Sequence, residues 1–168
     1  MAAATHRHRG SGAALLLAVL AQGASSGPAG AATATATFTV SATVQATCVI
    51  SASALAFATY VGLLATATST LSITCTNTTP YNVGLSAGTA SGATVTSRQM
   101  TAGAVTLAYT LTSDAAHTVN WGQTIGTDTV AGTGNGTIQV LTVYGQIGAG
   151  LFITPGSYTD TIIATVTY

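Results

Sequence analysis

Apolar and hydroxyl side chains alternate along the segment that precedes the first cysteine. The apolar positions are Ala34, Ala36, Phe38, Val40, Ala42 and Val44, and Thr, Ser and Gln45 occupy the positions between them. A period of two over about a dozen residues predicts a β-strand with one apolar and one polar face. An ordinary first strand or a flexible Ala/Thr leader is the alternative interpretation. The larger side chains of Phe38, Val40 and Val44 argue against a leader, because they give one face something to bury.

Shorter stretches of strand-forming residues follow along the chain. The predicted strands are residues 71–76, 82–86, 106–112, 137–144 and 157–168, with turn clusters at 77–80 and 132–136 among the connections. Many short strands separated by turns are typical of a β-sandwich, and no convincing helical period follows the N-terminal segment. The sequence therefore predicts one all-β domain, which is also what the length of 168 residues favours.

The last predicted strand also has apolar residues at alternate positions, which form one face. That face contains Tyr158, Ile162, Ala164, Val166 and Tyr168. The strand runs to the final residue, and neither charge nor proline follows Asp160 to protect its far edge from pairing with another chain. The N-terminal strand of one copy can therefore pair with the uncovered edge of the last strand in another copy, which joins the copies head to tail. Because such a contact need not close, repetition yields a filament.

Residues 1–31 have the layout of a secretory signal peptide. Arg7 and Arg9 precede an apolar run at 13–21, and small residues at 28–31 offer a cleavage site. A membrane anchor is the alternative, but the apolar run is far shorter than the ~20 residues that span a bilayer. We therefore expect export, with the mature chain beginning at Ala32.

The mature part contains two cysteines, Cys48 and Cys75. An even number of cysteines in an exported chain predicts one disulfide bond, with free thiols as the alternative. A structural zinc site uses four ligands, and the mature part contains a single histidine, His117. The sequence accordingly predicts no metal site and no cofactor.

Charge is almost absent from the sequence. It contains no Lys and no Glu, and Arg98 is the one strong cation after the N-terminal segment. Since nucleic-acid binding depends on Lys and Arg to neutralise phosphates, nucleic acid is excluded as a partner. A formal net charge of zero favours association of protein copies instead.

Few residues carry catalytic potential. Asp114 and His117 could serve a nucleophilic Ser, but no Gly-x-Ser-x-Gly elbow presents one. Asp114, Asp128 and Asp160 are too scattered to predict a glycosidase pair. Asp160 is expected to bind backbone or hydroxyl groups at the start of the last strand. Trp121 is a possible sugar platform, although a lone Trp more often packs in a core. The sequence therefore predicts a protein without catalytic residues.

Several stretches together resemble the spore coat protein U domain family, which includes subunits of archaic chaperone-usher pili. The similar stretches are residues 47–48, 73–76, 107–111, 120–122, 143–147, 155–161 and 164–168. The most specific of them is Gly156-x-Tyr158-x-Asp160 followed by an alternating strand. The cysteine pair alone would be a weak signal.

The resemblance implies an incomplete immunoglobulin-like sandwich that lacks its last strand. A periplasmic chaperone is expected to supply that strand until the N-terminal segment of a neighbouring subunit replaces it, in an exchange catalysed by an outer-membrane usher. The donor segment maps onto about residues 33–43, within a domain organisation of signal peptide 1–31, donor region 32–46 and pilin domain 47–168. Its inward side chains would be Phe38, Val40, Ala42 and Val44, and the acceptor would be the last strand.

The function implied is that of a subunit of an adhesive fibre on the cell surface, polymerised head to tail and supporting attachment and biofilm formation. A secreted adhesin that binds a carbohydrate or an abiotic surface is the first alternative. A spore-coat component, as the family name suggests, is the second.

Overall fold

The structure is a computed structural model that describes residue 27 and residues 29–168. The predicted signal peptide lies outside the described residues, except for Gly27 and residues 29–31. The chain divides into two units, residues 1–41 and 42–168. Within the first unit, the described residues have no regular secondary structure and are exposed. All the strands of the described residues lie in the second unit.

Eight strands build this second unit. They are β1 Cys48–Ala52, β2 Ala65–Cys75, β3 Pro80–Leu85, β4 Arg98–Ala102, β5 Val105–Thr112, β6 Val130–Thr133, β7 Gln139–Ile147 and β8 Ala164–Thr167. One sheet has the order β1-β2-β7-β5-β4 and the other the order β6-β3-β8, and every pairing is antiparallel. The prediction of an all-β fold is confirmed.

The core lies between the two sheets and follows from the alternation along each strand. In β2, Leu71, Ile73 and Cys75 are buried while the intervening Ser and Thr side chains are more exposed. Val83 of β3 and Leu111 of β5 contribute to the same cluster. Alternation places every second side chain on one face of a strand, so the apolar half of each pattern becomes the core.

The predicted disulfide is confirmed. Cys48 and Cys75 are bonded to each other and are directly opposite in the register between β1 and β2. Cys75 is buried, and Cys48 packs against the core. The bond therefore links the beginning of the sandwich to the end of its longest strand.

Arg98 has no exposed surface, which its charge does not lead one to expect. Its guanidinium donates hydrogen bonds to the carbonyl oxygens of Ser86 at 2.8 Å, Leu85 at 3.0 Å, Val95 at 2.6 Å and Trp121 at 2.6 Å. Desolvation lowers the pKa of the guanidinium, an effect opposed by nearby anionic groups. The side chain thus joins β4 to the end of β3 by satisfying backbone acceptors.

The strand boundaries correct several predictions. Strands β1 and β4 were not predicted, and β6 occupies part of the predicted turn at 132–136. Gly132 pairs with Tyr81 in that strand, and the tyrosine ring lies over it, so a Cβ at this position would clash with the ring. The strand predicted at 157–168 is regular only over Ala164–Thr167, with an isolated bridge at Thr159.

The alternating segment at 34–45 forms no strand within the single chain. No described strand pairs with it, and a strand without a partner has no ladder of hydrogen bonds. Its role as a donor stays a prediction. The described residues also contain no helix with the length and hydrophobicity needed to cross a membrane.

Candidate functional site: an open groove between the sheets

An open groove runs along one side of the sandwich. It consists of two cavities of about 790 and 390 Å³, called here the wide and the narrow compartment. Both are lined by Leu55, Phe57, Met100 and Tyr158, so they form one continuous groove. These four side chains also pack against the core, so the groove reaches the hydrophobic interior.

The first wall of the groove is residues 53–62, which follow β1. Leu55 and Phe57 pack against the core and are half-buried, whereas the alternating Ala54, Ala56 and Ala58 are exposed. The Phe57 ring meets the ring of Tyr109 edge to face, with centroids 6.4 Å apart. Sequence reasoning missed this wall, although the alternation Leu55-Ala-Phe57-Ala is the same signal that predicted the other strands.

The second wall is residues 151–164, and the floor is the core itself. The floor side chains are Leu71, Leu85, Tyr109, Leu111 and Val143 in the narrow compartment and Leu107 and Ile147 in the wide one. The lining side chains are mostly apolar, and hydroxyl groups, Asp160 and backbone atoms add polar surface. Such a groove suits an extended segment with apolar side chains along one face.

The stretch 158–168 is hydrogen-bonded along one edge. Thr159 and Thr101 exchange two backbone hydrogen bonds, with N···O distances of 2.8 and 3.1 Å. Ile163 O accepts from Ser86 N at 2.9 Å, and Ile163 N donates to Ser86 Oγ at 2.9 Å. Successive residues of a strand direct their backbone groups to opposite edges, so the even-numbered residues present theirs at the other edge. No described strand pairs with that edge.

Asp160 fixes the second wall in place, as expected for a residue that binds backbone and hydroxyl groups. Its carboxylate accepts hydrogen bonds from Tyr109 Oη at 2.7 Å, from Thr89 N at 2.8 Å and Thr89 Oγ1 at 2.9 Å, and from Thr161 N at 2.7 Å. Desolvation opposes ionisation of this carboxyl, but the hydrogen bonds outweigh it and lower its pKa. Burial, together with the bond to Asp160, raises the pKa of Tyr109.

The predicted acceptor residues divide into two groups. Tyr158, Ile162 and Ala164 line the groove and pack against the core. Val166 also packs against the core but lies in β8 beyond the groove, and Tyr168 is exposed. The predicted inward-facing residues therefore pack against the core as far as Val166, but not at Tyr168.

The predicted donor side chains are accessible. Phe38, Val40 and Val44 are between 81 and 88 % exposed, and Ala42 is exposed as well. Large apolar side chains at successive alternate positions are seldom left in water unless a partner covers them.

Asp114 and His117 do not form a catalytic pair. The Asp114 carboxylate accepts hydrogen bonds from Val119 N at 2.7 Å and from Thr118 N and Oγ1, and these bonds lower its pKa, that from Val119 most. His117 Nδ1 is 3.3 Å from Thr112 Oγ1 instead. Within residues 29–168, no three metal-ligating side chains cluster.

Trp121 is buried, and its indole N–H donates to Val83 O at 2.8 Å. A Trp in this position is a core residue, so it offers no flat surface on which a sugar could stack. The interpretation of Trp121 as packing is confirmed.

Two antiparallel sheets with an open groove between them define an immunoglobulin-like β-sandwich with an unpaired edge. The family model of the Spore Coat Protein U domain matches residues 34–165, and the chain belongs to this family. Among solved structures, a similar fold occurs in the crystal structure of the CsuC–CsuE chaperone–tip adhesion subunit pre-assembly complex from the archaic chaperone-usher Csu pili of Acinetobacter baumannii.

That similarity has a TM-score of 0.57 and 22 % sequence identity. It covers 75 % of this chain but only 41 % of the other, so this chain spans less than half of that protein's length. Comparison with curated proteins finds no match.

Proposed function

We propose that this protein is a structural subunit of a chaperone-usher surface pilus, and that its groove accepts the N-terminal segment of a neighbouring subunit. The observation that carries the proposal is the unpaired edge of residues 158–168 beside an apolar groove. An exposed edge of this kind is a template for an added strand, and an apolar groove adds side-chain pockets to the backbone hydrogen bonds.

The segment at 33–43 has the properties that such a groove requires. Its apolar residues recur with a period of two, so they all face one way when the segment is extended. Each large side chain that becomes buried contributes about 1.5–3 kcal/mol. The family model begins at Ala34. The match therefore includes both the alternating segment and the sandwich.

The same proposal names the partners and the place of action. A periplasmic chaperone occupies the groove first, an outer-membrane usher catalyses the exchange, and copies of this chain then form a head-to-tail polymer. Support for the chaperone comes from the similar fold in a complex of a chaperone with a pilus subunit. The protein is exported and displayed on the cell surface, where the fibre supports adhesion and biofilm formation and catalyses no reaction.

The proposal is tested by placing a charge on either face of the donor. Val40→Asp should abolish polymerisation, because the carboxylate would be desolvated in the groove without a partner. Thr39→Asp is the matched control: the same charge on the opposite face remains in water, so fibres should still form. Both variants keep an intact acceptor groove, and both should be recovered bound to the chaperone.

The measurement is fibre length by electron microscopy, with the amount of chaperone-bound subunit as the check on folding. Equal fibre formation by Val40→Asp and Thr39→Asp would contradict donation through this segment.

A further inference from the structure

An exposed apolar cluster lies at one end of the groove. It consists of Val61, Leu63, Leu64 and Phe152, each between 60 and 88 % exposed, and it is called here the apolar tip. The Phe152 ring packs over Gly62, where an added Cβ would lie 2.7 Å from a ring carbon. Neither of the two contributing loops, residues 58–64 and 147–156, contains a charged residue. Large apolar side chains exposed on two neighbouring, uncharged loops are a candidate interaction surface.

Hydrogen bonds tie the two loops of the tip to each other. Gly150 N donates to Gly62 O at 2.8 Å, and Tyr60 Oη donates to Gly148 O at 2.6 Å and accepts from Leu151 N at 3.1 Å. The loops are therefore connected at three points, independently of the apolar side chains that they expose. A surface that is held in place loses little conformational freedom when a partner covers it.

The position of the tip determines which partner reaches it. Val61, Gly62 and Phe152 line the wide compartment, so a segment that fills the groove emerges beside the tip. Every pairing in the sandwich is antiparallel, and an antiparallel donor continues that pattern with the more stable type of ladder. The second wall runs from Leu151 at the tip towards Ala164. An antiparallel donor therefore has its C-terminal end at the tip.

From Val44, the last inward residue of the donor, only four residues lead to Cys48 in the sandwich of the donating subunit. Four extended residues span at most about 14 Å. The beginning of β1 of that subunit must consequently lie next to the tip.

An exposed apolar face occupies this end of the donating sandwich. Val49 of β1 is opposite Thr74 of β2, and Val140 of β7 is opposite Ser72. Continuing the same register places Ile138 beside Thr74. The side chains of Val49, Ile138 and Val140 are all exposed on this outer face and are called here the β1 face.

We propose that the apolar tip of one subunit packs against the β1 face of the subunit that donates its strand. This inference rests on the proposed function and adds a second, strand-independent contact to each junction of the fibre. The two surfaces are different patches of the same chain, so the contact is heterologous and repeats along the polymer without closing. Both are uncharged and apolar, so their contact leaves no charge desolvated.

The test separates the two contacts by comparing a free donor peptide with a whole donor subunit. The acceptor in the peptide experiment is the full chain carrying Val40→Asp, whose own segment cannot donate, and the probe is a synthetic peptide of residues 33–45. Leu63→Ser combined with Leu64→Ser, two exposed tip residues outside the groove lining, should change the peptide dissociation rate by less than about twofold, because the peptide ends before β1. Peptide binding also verifies that the variant is folded.

In fibres assembled from the full chain, the same double variant should dissociate about tenfold faster than the wild type or more. Removing one well-packed apolar contact corresponds to at least that factor. Val49→Ser with Ile138→Ser should have the same effect from the other side, and combining all four changes should add little, since each pair removes the same contact. Ile125→Ser, an exposed apolar residue outside both surfaces, is the control and should dissociate like the wild type.

Fibres of the tip variant that dissociate within about twofold of the wild type would overturn the inference, and so would fully additive effects of the two pairs of substitutions. Normal fibre stability combined with weaker binding to a hydrophobic solid would assign the tip to surface attachment instead. If the peptide fails to bind the Val40→Asp acceptor at all, the proposed function itself is wrong. The two failures are therefore distinguishable.

Discussion

Asp160 shows how one polar residue positions an otherwise apolar groove wall. Its carboxylate accepts hydrogen bonds from Tyr109 in the floor and from Thr89 in the loop after β3. Gly88 must lack a side chain here, because its positive φ of 93° brings the backbone against this carboxylate. The wall therefore depends on an ionised group with several donors.

The pKa of Asp160 is lowered in the folded protein, so its ionised form favours folding. This contribution is complete above the ordinary carboxyl pKa of about 3.9 and is lost as the pH falls through the lower value of the folded state. Asp160→Asn should reduce the free energy of unfolding of the peptide-complemented subunit by about 1–2 kcal/mol at pH 7. Urea denaturation at several pH values should show that this difference shrinks towards pH 3.

The control for this prediction is Asp114→Asn. Asp114 also has a lowered pKa and accepts backbone hydrogen bonds, but its loop is separate from the groove lining. Asp160→Asn should weaken binding of the 33–45 peptide, whereas Asp114→Asn should leave it unchanged. Equal peptide affinities for the two variants would contradict a role of Asp160 in positioning the wall.

The disulfide is a second feature at the residue scale. It closes a loop between residues separated by 27 positions, so its removal releases chain entropy in the unfolded state. Replacing both Cys48 and Cys75 by Ala should lower the free energy of unfolding by about 3 kcal/mol. Denaturant titration of the peptide-complemented variant measures this loss. A change below about 1 kcal/mol would show that the link between β1 and β2 is sufficient without the bond.

At the scale of the element, the stretch 158–168 is hydrogen-bonded along one edge only, although it is a regular strand only over Ala164–Thr167. The backbone amides of odd-numbered and even-numbered residues should therefore differ in their hydrogen bonding. Those of Thr159, Ile163 and Thr165 have partners in β4 or β3 or in Ser86, whereas those of Ile162 and Ala164 point to the open edge.

Hydrogen exchange followed by NMR on the Val40→Asp chain should reveal this division. The amides of Ile162 and Ala164 should exchange faster than those of Thr159, Ile163 and Thr165. Addition of the 33–45 peptide should slow the first group by about tenfold or more and change the second much less, because the added strand bonds only the open edge. Uniform protection of both groups before peptide addition would contradict an open edge.

At the scale of the whole molecule, donor and acceptor belong to different parts of one chain. Deletion of residues 33–43 should yield a subunit that accepts a strand but cannot donate one. Alone, it should form no fibres, and mixed with wild-type subunits it should shorten them, because each incorporated copy ends a polymer. Fibre lengths in electron micrographs at increasing fractions of the deletion variant measure this effect. Long fibres from the deletion variant alone would refute head-to-tail donation through this segment.

Local patterns in the sequence determined much of this protein. The period of two in residues 71–75 and 106–112 identified strands and their inward faces, because side chains on a pleated strand alternate whatever the strand pairs with. The cysteine count predicted the disulfide, and Gly156-x-Tyr158-x-Asp160 helped to identify the family. The alternation at 34–45 also distinguished this segment as a possible strand, and no described strand pairs with it.

Only the tertiary structure decided where the groove lies and which edge remains open. Leu55 and Tyr158 line the same groove although about a hundred residues separate them, and no local pattern encodes such a distance. The burial of Arg98 depends on four carbonyl oxygens that converge from separate loops and strands. The last strand is regular only over Ala164–Thr167, because a strand extends no further than its partners allow. Propensity is a property of the segment itself, whereas pairing is a property of the neighbours that folding brings to it.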